Sequence, residues 1–96
     1  MSDGADGRYS SDITIVNRRG LHARAAARFV ACAERFDAEI TVTKDQTTVE
    51  ATSIMGLMML AASTGSSIRV SAEGREAAAA LAALKALVAD RFGEGE

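Results

Sequence analysis

Apolar residues recur along the chain with two different periods, which predict both strands and helices. Four short segments have period two and predict four strands: Ile13–Ile15, Ile40–Val42, Val49–Ala51 and Ile68–Ala72. From Ala23 to about Phe36 the apolar residues follow a helical period, and so do those of the Ala-rich segment 75–91. Between these two helices, Ser53 is a good N-cap for a short helix over residues 54–61.

The predicted element order is β-α-β-β-α-β-α, which favours a two-layer α+β sandwich. Residues 38–52 contain two of the strands and a tight connection, so they predict a β-hairpin. The first ten and the last four residues are small, polar and Gly-rich. We expect segments 1–10 and 93–96 to be disordered, leaving one domain over residues 11–92.

Composition narrows the functional class. The chain has 96 residues, a net charge of −2, a charged fraction of 25% and a hydrophobic fraction of 48%, which are ordinary values for one globular domain. It has one cysteine and no run of about 18 apolar residues, which disfavours a disulfide-stapled secreted protein and a membrane span. A slightly acidic chain is an unusual nucleic-acid binder. With no secretory signal in the sequence, we expect a cytoplasmic location.

The single histidine, His22, lies where the first helix begins. The N-terminus of a helix has unpaired N–H groups and a partial positive charge, both of which favour an anion. Residues 17–36 contain five arginines and one acid, a local charge of +4. Imidazole can carry a covalent intermediate. A phosphoryl group on His22 would lie over the helix N-terminus, where Arg24 could pair with it.

Other interpretations of His22 stay open from the residues alone. It can be a helix-start residue without chemistry. A metal site is poorly supported, because Cys32 is ten residues away and there is no second histidine. A general-base enzyme is also poorly supported, because no acid is adjacent in sequence to orient the ring. Cys32 itself is interpreted as a packing residue.

The second helix is apolar on every side. If Leu57, Leu60 and Ala61 form its core stripe, the remaining large side chains are partly exposed and form an apolar patch suited to partners of several shapes: Ile54, Met55, Met58 and Met59. A fully packed core without a patch is the alternative. Ser53 needs no role beyond the N-cap, although a phosphate there would add nearly two negative charges beside the patch.

Two segments resemble one known family. The run from Gly20 to Arg24, followed by residues 26–30, resembles the phosphohistidine segment of HPr, the phosphocarrier of the bacterial phosphoenolpyruvate-dependent phosphotransferase system. The run from Thr52 to Met58 looks like the segment around the regulatory serine of HPr. The resemblance covers residues 11–92. It implies an open-faced β-sandwich, in which a four-stranded antiparallel sheet of order 1-4-2-3 carries three helices on one face.

The resemblance also implies a function. His22 would accept a phosphoryl group on Nδ1 from phospho-enzyme I and pass it to a histidine of an enzyme IIA protein, without a bound cofactor or metal. Arg24 matches the phosphate-facing arginine, with Ala23 and Ala25 beside it, and Ser53 matches the serine that an HPr kinase/phosphorylase modifies in some bacteria. Partners would dock on the first two helices, on Ala23, Arg28 and the apolar patch. A monomer is expected of a small shuttle.

One position departs from the sugar-type pattern. Ala25 stands where most such HPr proteins have proline. With alanine at this position, the chain resembles the nitrogen-regulatory (NPr) and α-proteobacterial HPr-like proteins. A regulatory or nitrogen-type branch is therefore expected. Two alternatives differ in class: a regulatory binding module, whose partner choice is switched by phosphorylation of His22 and Ser53, and an unmodified structural domain.

Overall fold

The computed structural model describes residues 7–94, which form one sheet covered by helices. The strands are β1 (Arg8–Thr14), β2 (Glu39–Lys44), β3 (Thr47–Glu50) and β4 (Ser67–Glu73). The helices are α1 (Ala23–Ala33), α2 (Ile54–Met59) and α3 (Ala77–Ala89), and a short 3-10 helix follows at Arg91–Gly93. The predicted order of elements is confirmed.

The four strands form an antiparallel sheet in the order β1-β4-β2-β3, which confirms the expected topology. Burial alternates along the central strands, because successive side chains of a strand point to opposite faces. In β4, Ile68, Val70 and Ala72 are buried, whereas Arg69 and Glu73 are exposed. One face of the sheet therefore packs against the three helices, and the other face carries the polar side chains.

The core lies between this apolar face and the helices. Its largest fully buried side chains come from β4, from the residue after β1, from all three helices and from the short C-terminal helix: Phe29, Phe92, Ile15, Leu57, Ile68 and Leu84. The helix α1 contacts both α2 and α3. Burial of these apolar surfaces is the main favourable contribution to folding.

Two predictions about the ends of the chain were wrong in detail. Residues 8–10 are not disordered, because Arg8 to Ser10 pair through their backbone with β4 from Glu73 to Ser71. A polar sequence does not prevent strand pairing, since backbone groups make the bonds. The tail is ordered at least through Glu94, whose side chain contacts His22. Positions 1–6 and 95–96 of the two predicted disordered segments lie outside the described residues.

The helix α2 is shorter than predicted. It ends at Met59 with Leu60 as its C-cap, and Ala61 adopts a left-handed conformation with φ 53°. The chain therefore leaves the helix before Ala61, which is exposed, and Ala62 is buried instead. The predicted core role of Leu57 and Leu60 is confirmed, whereas that of Ala61 is wrong.

Candidate functional site: a histidine at the N-terminus of the first helix

The loop before α1 places His22 at its N-terminus. Asn17 closes the loop, because its backbone carbonyl accepts from the N–H of Gly20 (3.3 Å) and its side-chain Nδ2 donates to the carbonyl of Gly20 (2.8 Å). Gly20 has φ +70°, a conformation that favours glycine. The N–H of Leu21 then donates to the carbonyl of Ala62 at 2.9 Å. The loop is thus fixed against the segment that follows α2.

The imidazole of His22 is the N-cap of α1. His22 has extended backbone angles, and its Nδ1 accepts from the backbone N–H of Arg24 at 3.3 Å. The first α-helical hydrogen bond runs from the N–H of Ala26 to the carbonyl of His22. The N–H groups of Ala23 and Ala25 come before Ala26 in the chain. N–H groups in the first turn of a helix have no partner within the helix. Nδ1 therefore lies beside a group of N–H donors.

The other ring nitrogen, Nε2, contacts the carboxylate of Glu94. The chain reaches this position by a sharp turn after α3. Arg91 and Phe92 both have φ 55°, Phe92 is fully buried, and the Arg28 guanidinium donates to the Phe92 carbonyl. The Glu94 side chain is only 8% exposed and that of His22 is 16% exposed. The histidine thus has an acidic neighbour after all, one that is distant in sequence.

The Glu94 carboxylate is charged near neutral pH. Burial raises its pKa, but the hydrogen bonds from His22 and Asn17 and the nearby charge of Arg19 outweigh burial, so that the pKa lies below its ordinary value. Asn17 donates to Oε1 at 3.1 Å, while Oε2 faces the ring. A negative group is therefore held beside the imidazole, on the side away from the helix N-terminus.

Sequence reasoning did not find Glu94 or Asn17 as parts of this site. Glu94 is 72 residues from His22, and it lies in a Gly-rich segment that predicts disorder. The closest signal was the apolar Phe92 near the C-terminal end, which indicates a buried anchor. Asn17 is polar and precedes two arginines in the sequence, which does not indicate that it is fully buried.

The predicted anion-binding residues lie in the first turn of α1 and in the loop before it. Arg24 is exposed, as are Arg18 and Arg19 in the preceding loop, whereas Ala25 is fully buried in the first turn. Arg28 is exposed but is tied to the C-terminal segment through Phe92. Arg24 therefore contributes its backbone N–H to the ring and presents its charge to solvent.

The apolar patch on α2 is exposed. Met55 and Met59 are 72% and 73% exposed, and Ile54 and Met58 are 41% and 42% exposed. Ser53 accepts from the N–H of Gly56 at 2.9 Å and so is the N-cap of α2. The carbonyl of Ala62 accepts from the N–H of Leu21, so the C-terminal end of α2 lies beside the loop that carries His22. Val16, which sequence reasoning did not single out, is a further exposed apolar residue.

The remaining site candidates have no evident chemistry. Cys32 is buried, and burial raises the pKa of its thiol although Arg35 opposes the shift. Within residues 7–94, no cluster of three or more His, Cys, Asp or Glu could hold a metal ion. The helices of this part of the chain are also too short or too polar to span a membrane.

Comparison with known proteins assigns this chain to a family. Residues 9–90 match the family described as the PTS HPr component phosphorylation site. The chain belongs to the HPr family. It is 46% identical over 85 residues to the phosphocarrier protein HPr of Cupriavidus necator, a match that covers 88% of this chain and 96% of the relative. It is also 44% identical to the phosphocarrier protein NPr of Shewanella violacea, covering 85% of this chain and 90% of that protein.

Solved HPr structures have the same fold. The crystal structure of HPr-C-His from Thermoanaerobacter tengcongensis superposes with a TM-score of 0.86 at 45% identity, covering 90% of this chain and 97% of that one. The crystal structure of HPr from Bacillus anthracis superposes with a TM-score of 0.79 at 47% identity, covering 82% of this chain and 94% of that one. The family and the fold together establish a phosphocarrier role in the phosphotransferase system.

Proposed function

We propose that this HPr accepts a phosphoryl group from phospho-enzyme I on Nδ1 of His22 and passes it to a histidine of an enzyme IIA protein. The observation that carries this proposal is the position of Nδ1 at the N-terminus of α1, within hydrogen-bond distance of the Arg24 N–H. Phosphorylation there puts two negative charges beside helix N–H groups, which stabilise anions.

The phosphoryl group would be held by groups from the first turn of α1. The amides of Ala23, Arg24 and Ala25 are its backbone donors, and the exposed Arg24 guanidinium can close over it as a charged donor. The group forms a covalent bond with His22, so no cofactor is needed. In the absence of phosphate, the Arg24 N–H bonds to Nδ1, and phosphorylation would turn that N–H to a phosphoryl oxygen.

Donor and acceptor would use the same surface. Ala23 and Arg28 on α1 and the apolar patch on α2 lie around the histidine loop. Methionine side chains adapt to different partner shapes, which suits a carrier that binds enzyme I and several IIA proteins in turn. We propose a monomer, which leaves this surface open to each partner in turn, and a cytoplasmic location.

A regulatory or nitrogen-type branch is the pathway we favour. Ala25 fills the first turn of α1 without the proline of sugar-type relatives, and it is fully buried. The chain is 44% identical to an NPr protein and 46% identical to a relative called HPr, so this proposal rests on Ala25. Purified IIA proteins of the sugar and nitrogen branches, offered to the phosphorylated chain in parallel, decide between them by their relative rates.

The central test is the intact mass after incubation with phosphoenolpyruvate and enzyme I. We expect one added phosphoryl group on the wild-type chain, lost in mild acid, and none on His22→Ala. Arg24→Ala is expected to slow the transfer without abolishing it. If the wild-type chain gains no mass with an enzyme I that phosphorylates a control HPr, the proposal is wrong for this pairing.

A regulatory binding module is the second candidate, because Ser53 directly precedes the exposed apolar patch of α2. A phosphate on this residue, added by an HPr kinase/phosphorylase, would repel acidic partner surfaces beside the apolar patch. Aspartate and asparagine both cap helices well, so Ser53→Asp and Ser53→Asn differ mainly in charge. We expect only Ser53→Asp to slow phosphoryl acceptance. Equal rates for the two variants would refute an electrostatic switch.

A further inference from the structure

The hydrogen bonds of the His22 ring determine which nitrogen carries its proton. The backbone N–H of Arg24 can only donate, so Nδ1 accepts from it with a lone pair. A neutral imidazole has one protonated nitrogen, and that nitrogen is then Nε2. Nε2 faces a carboxylate oxygen of Glu94, which can only accept. Two independent contacts thus select the same tautomer.

The Glu94 carboxylate is itself held in place. Its Oε1 accepts from Nδ2 of Asn17 at 3.1 Å, and the same Nδ2 donates to the Gly20 carbonyl at 2.8 Å. Asn17 is fully buried, and the buried Phe92 fixes the backbone two residues before Glu94. One carboxylate oxygen therefore accepts from the side-chain amide of Asn17, and the other contacts Nε2 of the His22 ring.

We propose that Glu94 is a positioning residue for phosphoryl transfer: it keeps the proton of His22 on Nε2 and leaves the lone pair of Nδ1 available as the nucleophile. This inference rests on the proposed function. A carboxylate bonded to the second ring nitrogen of a histidine fixes the ring orientation and raises the basicity of the first nitrogen. The arrangement is the one by which a buried aspartate orients a catalytic histidine.

The transfer balances without movement of a proton. The lone pair of Nδ1 forms the new N–P bond while the N–P bond of the donor phosphohistidine breaks, and that electron pair stays on the donor imidazole. No proton leaves Nδ1, because the proton is on Nε2. The ring then carries a positive charge beside the negative Glu94. In the onward step the electron pair returns to Nδ1 as its bond to phosphorus breaks.

The test compares Glu94→Gln with Glu39→Gln in the full chain. Glutamine keeps the length of the side chain and an acceptor oxygen but loses the charge. Glu39 is an exposed carboxylate at the start of β2, on the sheet, and serves as the matched control. Two measurements are made: the imidazole ¹⁵N chemical shifts, which report the tautomer, and the steady-state kinetics of enzyme I with each chain as substrate.

We expect the wild-type chain and Glu39→Gln to hold the Nε2–H tautomer almost completely, and Glu94→Gln to hold a smaller fraction of it, because the Arg24 N–H still favours it but the carboxylate charge is lost. The kcat of phosphorylation should fall on the order of tenfold in Glu94→Gln, with KM within about twofold because the docking surface is unchanged. An unchanged tautomer in Glu94→Gln, or a loss that is confined to KM, would overturn the proposal. Failure of all three chains to accept phosphate refutes the proposed function instead, because the ¹⁵N shifts need no phosphate.

Discussion

Replacing Gly20 with alanine tests the argument that the loop before His22 depends on one close backbone contact. A Cβ at this position would lie 2.4 Å from the carbonyl oxygen of Ala62 and 2.9 Å from the Cα of Ser63. Both are backbone atoms, so neither can rotate away. Relief requires a backbone shift of roughly 1 Å, given that ordinary non-bonded contacts begin near 3.5 Å.

The expected cost has three sources. A non-glycine residue in the left-handed region costs about 1–2 kcal/mol. Forcing an extra carbon into a packed position costs about 1–3 kcal/mol. The same shift weakens the 2.9 Å hydrogen bond from Leu21 to Ala62, and such a bond contributes about 1 kcal/mol. We therefore expect a destabilisation of about 3–6 kcal/mol, a large part of the stability of a small domain.

Gly65→Ala is the matched control, because Gly65 has φ +89° but nothing within 4 Å of the added Cβ. Both variants share the left-handed strain and the reduced entropy of the unfolded chain. The difference between them isolates the close contact, and we expect it to be about 2–4 kcal/mol. Urea unfolding followed by circular dichroism measures both free energies. Equal destabilisation of the two variants would refute the argument.

Three further predictions concern the C-terminal segment and Cys32. Phe92→Ala should destabilise the fold by about 3–5 kcal/mol because the ring is fully buried, and thermal or urea unfolding should show a smaller loss for the partly buried Phe36→Ala. The pKa of Glu94 is lowered in the folded state. The ionised carboxylate therefore contributes fully to stability above the ordinary glutamate pKa of about 4.3, and this contribution is lost as the pH falls through the lowered pKa. The stability difference between wild type and Glu94→Gln, measured from pH 7 down to 3, should shrink over that range. The Cys32 thiol should react slowly with iodoacetamide in the native chain and rapidly in urea, because burial raises its pKa and restricts access.

Each of these predictions has a contradicting result. Similar losses for the two phenylalanine variants would show that Phe92 is not an anchor. A stability difference for Glu94→Gln that is constant with pH would contradict the carboxylate contacts. Rapid native alkylation, measured by intact mass, would mean that the α1 segment around Cys32 opens far more readily than its burial indicates.

The sequence was sufficient to predict the strands and helices, whose apolar residues recur with a regular period. Periodicity in β4 and α1 depends on which face meets the core, and a residue's neighbours in sequence reveal that face. The position of His22 at a helix start followed from the same reasoning, and the arginines around it are close in sequence. The exposed methionines of α2 followed from the rule that a short helix on a sheet buries only one face.

The remainder depends on contacts between distant segments. Residues 8–10 are ordered by backbone pairing with β4, and a polar composition carries no information about such pairing. The left-handed turn begins at two non-glycine residues, Arg91 and Phe92, and only its third residue, Gly93, is a glycine. Glu94 reaches His22 only because that turn redirects the chain, so the acid beside the ring could not be found from sequence neighbours.

The contact between His22 and Glu94 can form only late in the synthesis of the chain. A chain is synthesised from its N-terminus, and the two halves of this site are 72 residues apart. At translation rates of about 5–20 residues per second, the histidine segment exists for roughly 4–14 s before its carboxylate partner is made. The nascent chain therefore has the histidine before it has the carboxylate that contacts its Nε2. A correctly poised His22 is then a sign of a molecule whose C-terminal segment has been made and folded back.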